Sequence, residues 1–295
     1  MPQPHTTIRT LLLLFVVLVV VSCGDPVPDD YIPELTIEAT LLVDKPITDI
    51  KIYWSQSMRD SFSYAADMTT TATGLITGSD GSRHELVYVS DSSGGYYRSS
   101  DTAYRVQPQI TYNLVVQDNG RTLTATTTSP PRIEWIKTLP DTITYPGKAN
   151  ELNPAFSDSL KIYWTIPQGF GEFLIGVSCL DTLRYGEYLT PPSSEPNRRV
   201  ELDDYQSTSP RRFETTRIVY TLASGVFYWG AFKWFGPHEV TVYCGDINFT
   251  NWFKQVQFIR AYNPNLASVT GGLGTFGSAS TVSKRFFFKK EIGTQ

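Results

Sequence analysis

The chain has 295 residues with 25 basic and 29 acidic side chains, which gives a formal net charge of −4 at pH 7. This balance lacks the excess of Lys and Arg that phosphate binding needs, so we expect neither nucleic acid nor a polybasic membrane contact. Aromatic residues make up 13% of the chain, and their combination with many Thr and Val and frequent Gly and Pro is typical of an exported all-β protein.

The N-terminal residues have the anatomy of a secretory signal. Arg9 is the one charged residue before an unbroken apolar run from Leu11 to Val21. A membrane-spanning helix needs about 20 apolar residues, so this run is too short to be one. The following Val20-Val21-Ser22-Cys23 is similar to a bacterial lipobox, in which the Cys is alkylated with diacylglycerol and the signal is cut just before it. We therefore predict a lipoprotein signal peptide over residues 1–22 and lipidation of Cys23, with an ordinary secreted protein cut after Ser22 as the alternative.

Residues 23–34 are predicted to form a tether. Gly24 to Pro33 contains three prolines and three acidic residues. Proline at this density favours extended backbone, which would hold a folded body away from a bilayer surface.

Residues 35–130 have the pattern of an N-terminal β-sandwich domain, immunoglobulin-like or fibronectin-like in outline. Leu35 to Leu41 alternates apolar and polar residues, as a strand with one buried face does. The clearest hairpin has Asn119-Gly120 between the alternating runs 110–117 and 121–128.

Residues 131–290 are predicted to form a second, aromatic-rich β domain. The sequence Lys-Ile-Tyr-Trp at 51–54 recurs at 161–164, which suggests two related units. We predict at most one short helix in the mature chain, capped by Thr250. Its apolar face would carry Trp252, Phe253, Val256 and Ile259. The fold class is therefore all-β, with two sandwich-like domains.

If Cys23 is lipidated, two cysteines are left in strand-like segments. Cys179 and Cys244 either pair as a disulfide in an oxidising compartment or are two buried thiols. Both interpretations stay open, because the separation of the Cα atoms decides whether a disulfide can form.

The sequence contains little that indicates catalysis. The glycines of 272–277 match the dinucleotide-binding spacing, but no βαβ pattern surrounds them, so we predict a tight turn or bulge there. His84 and His238 are isolated, and the adjacent Asp203 and Asp204 lie in a polar loop. We therefore predict no enzyme activity, no metal and no cofactor; a glycosidase or other hydrolase, which would need two carboxylates across a bond, is the least favoured hypothesis.

An aromatic block offers the best binding potential in the sequence. Trp229, Trp234, Phe235 and Trp252 are candidates for a platform that stacks on sugar rings or anchors a protein partner. We favour the other interpretation, in which most of these rings fill the core of a β domain. Trp234 and Phe235 stand next to Gly236-Pro237, so we expect them to be the most exposed.

Several short motifs resemble an uncharacterised family of Bacteroidota outer-membrane lipoproteins, classified as a domain of unknown function. They are the lipobox, the acidic tether, Pro33–Ala39, Gly95-Tyr96-Tyr97, Ile110–Val116, the Asn119-Gly120 hairpin running into Ala125-Thr126-Thr127, and Thr270–Gly277. Residues 185–262 depart from this pattern. The resemblance implies a β-rich surface lipoprotein, often linked to TonB-dependent nutrient receptors, and it supplies no catalytic residues. Asp25, Asp29 and Asp30 resemble the signal that such bacteria use for export to the cell surface.

From these features we predict a non-enzymatic lipoprotein of the outer membrane, on its periplasmic or cell-surface face. Its expected role is that of an accessory or binding protein of a TonB-dependent uptake system or another envelope protein. The alternative is a carbohydrate-binding surface lipoprotein that uses exposed aromatic side chains.

Overall fold

The computed structural model describes residues 31–57, 60–92, 94–147, 161–202, 204–208, 213–220, 224–226, 231–256, 263 and 266–290. Its strands, in chain order, are β1 (Leu35–Leu42), β2 (Lys51–Trp54), β3 (Thr73–Gly78), β4 (Arg83–Val89), β5 (Tyr96–Ser99), β6 (Thr111–Asp118), β7 (Arg121–Thr128), β8 (Trp135–Lys137), β9 (Thr142–Thr144), β10 (Lys161–Trp164), β11 (Glu172–Cys179), β12 (Phe213–Tyr220), β13 (Ser224–Val226), β14 (Gly236–Gly245), β15 (Val269–Thr270) and β16 (Leu273–Lys289). The fold is all-β, as the sequence predicts.

The strands form three sheets. The long sheet has seven strands in the order β12-β11-β14-β16-β1-β2, with β9 also paired to β16. The hairpin sheet has six strands in the order β15-β7-β6-β3-β4-β5, and the small sheet has three in the order β13-β10-β8.

Strand β16 joins the two halves of the chain. Over its first residues it pairs in parallel with β1, from Thr36 opposite Leu273 to Leu42 opposite Ala279. Over the rest it pairs antiparallel with β14. The long sheet thus contains strands from both predicted domains, because β1 and β2 precede residue 130 and its other strands follow it.

Two hydrophobic cores lie on one face of the long sheet. Side chains alternate along a strand, so the even-numbered residues of β16 share a face. Phe276 belongs to the first core, whereas Phe286 and Phe288 belong to the second. The first core lies between the long sheet and the hairpin sheet, and the second lies between the long sheet and the small sheet. The architecture is therefore two sandwich-like halves that share one sheet.

A polar seam separates these two cores. The buried Thr127 on β7 donates a hydrogen bond to Asp246 over 2.6 Å, and its oxygen is 2.8 Å from the hydroxyl of Ser278 on β16. The same carboxylate accepts the backbone N–H of Ser278. Hydrogen bonds rather than apolar contacts therefore join the halves here.

The described residues contain two short α-helices, α1 (Tyr64–Asp67) and α2 (Ile247–Lys254), where at most one was predicted. Helix α2 is the expected one, but its cap is Asp246, whose side chain accepts the N–H of Phe249 over 2.9 Å. Thr250 lies inside the helix and donates to the carbonyl of Asp246. None of the helices in these parts of the chain combines the length and the apolar character needed to cross a membrane.

The prediction of a tight turn or bulge in the glycine-rich run is met in part: Gly271 and Gly272 form a bend between β15 and β16, and Leu273 onward belongs to β16. Gly274 has a φ of +102°, and a Cβ there would lie 1.8 Å from the carbonyl oxygen of Ile37. At Gly277 a Cβ would meet the backbone of Phe249 at 2.7 Å. These glycines are needed for the close approach of β1 and α2 to β16.

Candidate functional site

Two of the four residues of the predicted aromatic platform, Trp234 and Phe235, are buried, as the core interpretation expects. Trp234 and Phe235 are 5% and 2% exposed, so the expectation that they would be the most exposed rings is wrong. The cause is that Gly236-Pro237 begins β14 instead of forming a loop tip, which places the Phe235 ring in the second core, stacked 5.5 Å from Phe288. Trp252 is half-buried on α2. Trp229 and Cys23 lie outside the described residues.

Cys179 and Cys244 are separate buried thiols, which corrects the disulfide interpretation. Cys179 lies opposite His238 in the pairing of β11 with β14, and Cys244 is six residues further along β14. Six strand residues span about 20 Å, far more than the 7 Å of Cα separation that a disulfide tolerates. Burial raises the pKa of both thiols to about 12, so they act as small apolar side chains.

The two predicted lone histidines are both buried. The Nδ1 of His238 donates to the carbonyl of Gly236 over 2.8 Å, and its ring stacks 5.5 Å from Phe286. Burial lowers the pKa of His238 to about 4. The ring of His84 lies 3.9 Å from that of Tyr104. No three His, Cys, Asp or Glu side chains among the described residues converge on a possible metal position.

One aromatic ring in the second half is exposed beside a cation. Tyr205 is 51% exposed, and its ring centre lies 5.9 Å from that of Trp234. The Arg199 guanidinium lies 5.9 Å and 6.0 Å from these two ring centres, which is the distance of a cation–π contact. In the described parts of the chain no carboxylate forms an ion pair with Arg199. We call Arg199, Tyr205 and Trp234 the Arg199 stack.

Sequence reasoning missed an aromatic cluster on the opposite face of β1 from the first core. The carboxylate of Glu38 accepts hydrogen bonds from the hydroxyls of Tyr53 and Tyr64, both over 2.7 Å. Burial and the Glu38 charge raise the pKa of both phenols. The ring of Phe62 lies 5.0 Å from each tyrosine ring and is 45% exposed.

Lys51 completes this Glu38 cluster. Its ammonium donates to the carbonyl of Gly95 over 2.8 Å and lies 3.3 Å from Asp49. It also lies within 6 Å of the ring centres of Tyr64 and Tyr96. The cluster is therefore a half-buried aromatic surface whose charges are already paired.

The chain enters the folded body next to this cluster. The hydroxyl of Tyr31 donates to the side chain of Ser55. The backbone N–H of Glu34 donates to the Ser55 hydroxyl, and the N–H of Ser55 donates to the carbonyl of Glu34, both over 2.9 Å. Tyr31 and Ile32 are 42% and 69% exposed. With Phe62, these two residues form an exposed apolar group that we call the tether-exit patch.

A shallow groove of about 520 Å³ runs over the outer face of the hairpin sheet, lined by residues that include Leu75, Glu85, Val115 and Gln117. A second concavity of about 540 Å³ shares Gln117 and surrounds the Asn119-Gly120 turn. Alternate residues of β7 add outward-facing hydroxyls, namely Thr122, Thr124, Thr126 and Thr128. No aromatic ring lines either concavity. This face can offer hydrogen bonds and a few apolar contacts, but no stacking.

No family model matches the chain, and no curated protein matches its sequence. The resemblance to outer-membrane lipoproteins therefore remains a prediction.

Proposed function

We propose that the protein is a non-enzymatic lipoprotein, held in the outer membrane by acyl chains on Cys23, that serves as an accessory or binding protein of a TonB-dependent nutrient receptor. The observation that carries this proposal is the apolar run Leu11–Val21, which leads directly into Ser22-Cys23 and a short tether. Two or three acyl chains hold a protein on a bilayer far more firmly than one.

The start of the folded body supports a location close to the membrane. Cys23 precedes Tyr31 by eight residues, a segment that spans at most about 29 Å when fully extended. Tyr31 and Glu34 are already hydrogen-bonded to Ser55 at the end of β2. A partner of the body would therefore be reached most easily in the same membrane.

The outer face of the hairpin sheet is our candidate for contact with that partner. Val87 and Val115 are 37% and 39% exposed among hydroxyl and amide groups. Such a mixture of apolar and polar surface is typical of non-obligate interfaces, which are about as polar as the rest of a protein surface.

The test is affinity purification of a C-terminally tagged protein from its own membranes in mild detergent. We expect an integral receptor to co-purify in stoichiometric amount, to be lost with Cys23→Ala, and to be depleted with Val115→Glu. Ile136→Glu is the matched control, since Ile136 is 66% exposed and lies outside the groove. A lipidated protein that purifies alone would refute the accessory role.

Carbohydrate binding is a second candidate, because the Arg199 stack holds an exposed ring beside a cation. Tyr205 offers a face for a sugar ring, and Arg199 offers donors for the carboxylate of an acidic sugar. Titration against a panel of neutral and acidic glycans would test it, with Tyr205→Ala as the variant and Phe62→Ala as the control. Carbohydrate binding would be rejected if no glycan in the panel bound, or if the Tyr205→Ala and Phe62→Ala variants bound glycans with equal affinity.

A further inference from the structure

We propose that the tether-exit patch, formed by Tyr31, Ile32 and Phe62, rests in the interface of the same bilayer that holds the acyl chains of Cys23. This inference depends on the lipidation of Cys23 proposed above. It adds an orientation to the anchor, since it places the β1–β2 edge of the long sheet against the lipid.

The exposure of these side chains is the first observation. Ile32 is 69% exposed, which is the largest value among the large apolar side chains of the described residues. The patch combines two segments, residues 31–32 and Phe62, and both contact the end of β2: the Tyr31 hydroxyl donates to Ser55, and the Phe62 ring lies 5.0 Å from that of Tyr53. Solvent-exposed apolar groups that converge in this way indicate a contact surface.

The short segment between Cys23 and Tyr31 favours lipid, rather than a soluble partner, as the contact of the patch. The eight residue-to-residue steps from Cys23 to Tyr31 cannot carry the patch further than about 29 Å from the anchored residue. A surface tethered this closely has a high effective concentration at the bilayer, so a contact too weak to act alone becomes populated. A soluble partner has no such advantage.

The composition of the patch also suits a bilayer interface. Tyr has an apolar ring and a polar hydroxyl, and it is enriched at the level of the lipid head groups. The neighbouring Tyr53 and Tyr64 extend the aromatic surface, and Glu38 accepts both hydroxyls, so its charge is already hydrogen-bonded.

The charges around the patch specify the type of lipid. Lys51, the cation of the Glu38 cluster, is 3.3 Å from Asp49, whose side chain is 78% exposed. Glu34 adds a further exposed acid beside the tether. Since acids outnumber bases among the described residues around the patch, the contact should favour zwitterionic lipid and depend little on salt, unlike that of a polybasic segment.

The test places a photoreactive benzoylphenylalanine at position 62 in the full lipidated protein, reconstituted into vesicles of phosphatidylcholine and phosphatidylethanolamine. The matched control carries the same group at position 136, which is exposed outside the patch. We expect about tenfold more protein–lipid adduct from position 62 than from position 136, and loss of this difference with Cys23→Ala.

Mass spectrometry of the N-terminal peptide separates the two ways in which this experiment can fail. An unmodified Cys23 in the native protein would refute the anchor itself. A lipidated Cys23 with equal adduct yields from positions 62 and 136 would leave the anchor standing and overturn the orientation. Adducts from position 62 to another protein instead of lipid would also overturn it.

Discussion

The sequence Lys-Ile-Tyr-Trp occurs once in each half of the molecule, and the two copies are supported in different ways. In β2 the indole N–H of Trp54 donates to Asp118 over 2.8 Å, and that carboxylate also accepts the hydroxyls of Thr69 and Thr71. In β10 the ring of Trp164 is fully buried against Phe173, and its N–H has no acceptor in the described structure.

The same contrast extends to the two cores. The first core consists mainly of Ile, Leu, Val and Ala, and polar groups at its border are paired with carboxylates. The second core stacks Phe232, Phe235 and Phe288, and it encloses His238 among phenylalanines. We infer that the first half relies more on aliphatic packing and the second half more on aromatic packing. Unsatisfied polar atoms occur in both halves, because the buried ring nitrogens of His84 have no hydrogen-bond partner in the described structure.

The largest expected difference between the two halves is in the stability lost when each tryptophan is truncated to alanine. Trp164→Ala should lower the free energy of unfolding by about 3–5 kcal/mol, because it opens a large cavity in a packed core. Trp54→Ala should cost about 1–3 kcal/mol, since Trp54 is half-buried and the main loss is a hydrogen bond to a carboxylate. Urea unfolding followed by far-UV circular dichroism measures both, and equal losses would contradict the contrast between the halves.

Acid should destabilise the second half through His238. The pKa of His238 is about 4 in the folded protein, against an ordinary value of 6.5, so the folded state binds fewer protons than the unfolded state between these values. The contribution of neutral His238 to the free energy of unfolding is fully present above pH 6.5. It is lost as the pH falls toward 4, by about 3 kcal/mol in total.

The measurement is the free energy of unfolding against pH, with His238→Gln as the comparison. We expect the variant to show a flatter profile between pH 6.5 and 4. Parallel profiles would mean that His238 is protonated in the folded state as easily as in the unfolded chain.

A smaller effect is expected at the seam between the halves. Thr127→Val removes a hydroxyl that contacts Asp246 and Ser278, and it leaves the buried carboxylate without one of its donors. We expect a loss of about 1–3 kcal/mol. Thr124→Val on the outward face of β7 is the matched control, with an expected change within about 0.5 kcal/mol. Similar values for both variants would mean that the seam adds no stability.

Local patterns in the sequence predicted the local elements. The Asn119-Gly120 hairpin is confirmed, with φ of 45° and 74° at the two turn residues, because this pair accepts positive φ at both positions. Both copies of Lys-Ile-Tyr-Trp are strands, as expected. The helix near residue 250 exists, but its start was misplaced because Asp246 and Thr250 are both acceptable capping residues.

Features that depend on distant contacts could not be predicted in this way. The pairing of β1 with β16 joins the two ends of the described chain, and no periodicity encodes the partner of a strand. The Glu38 cluster combines residues from β1, β2, α1 and β5, so no single segment reveals it. The burial of Trp234 and Phe235 depends on where β14 begins, which an adjacent Gly-Pro pair does not determine.

The parallel pairing of β1 with β16 constrains the order in which the chain can fold. Residues 35–42 are synthesised early, but their neighbour in the sheet spans residues 273–289. Contacts between such remote segments slow folding, because the intervening chain must be ordered before they form. The first strand therefore remains without its β16 neighbour until synthesis is nearly complete, and during this interval its edge is open to aggregation. A chaperone that shields residues 35–42 would be most useful during that interval.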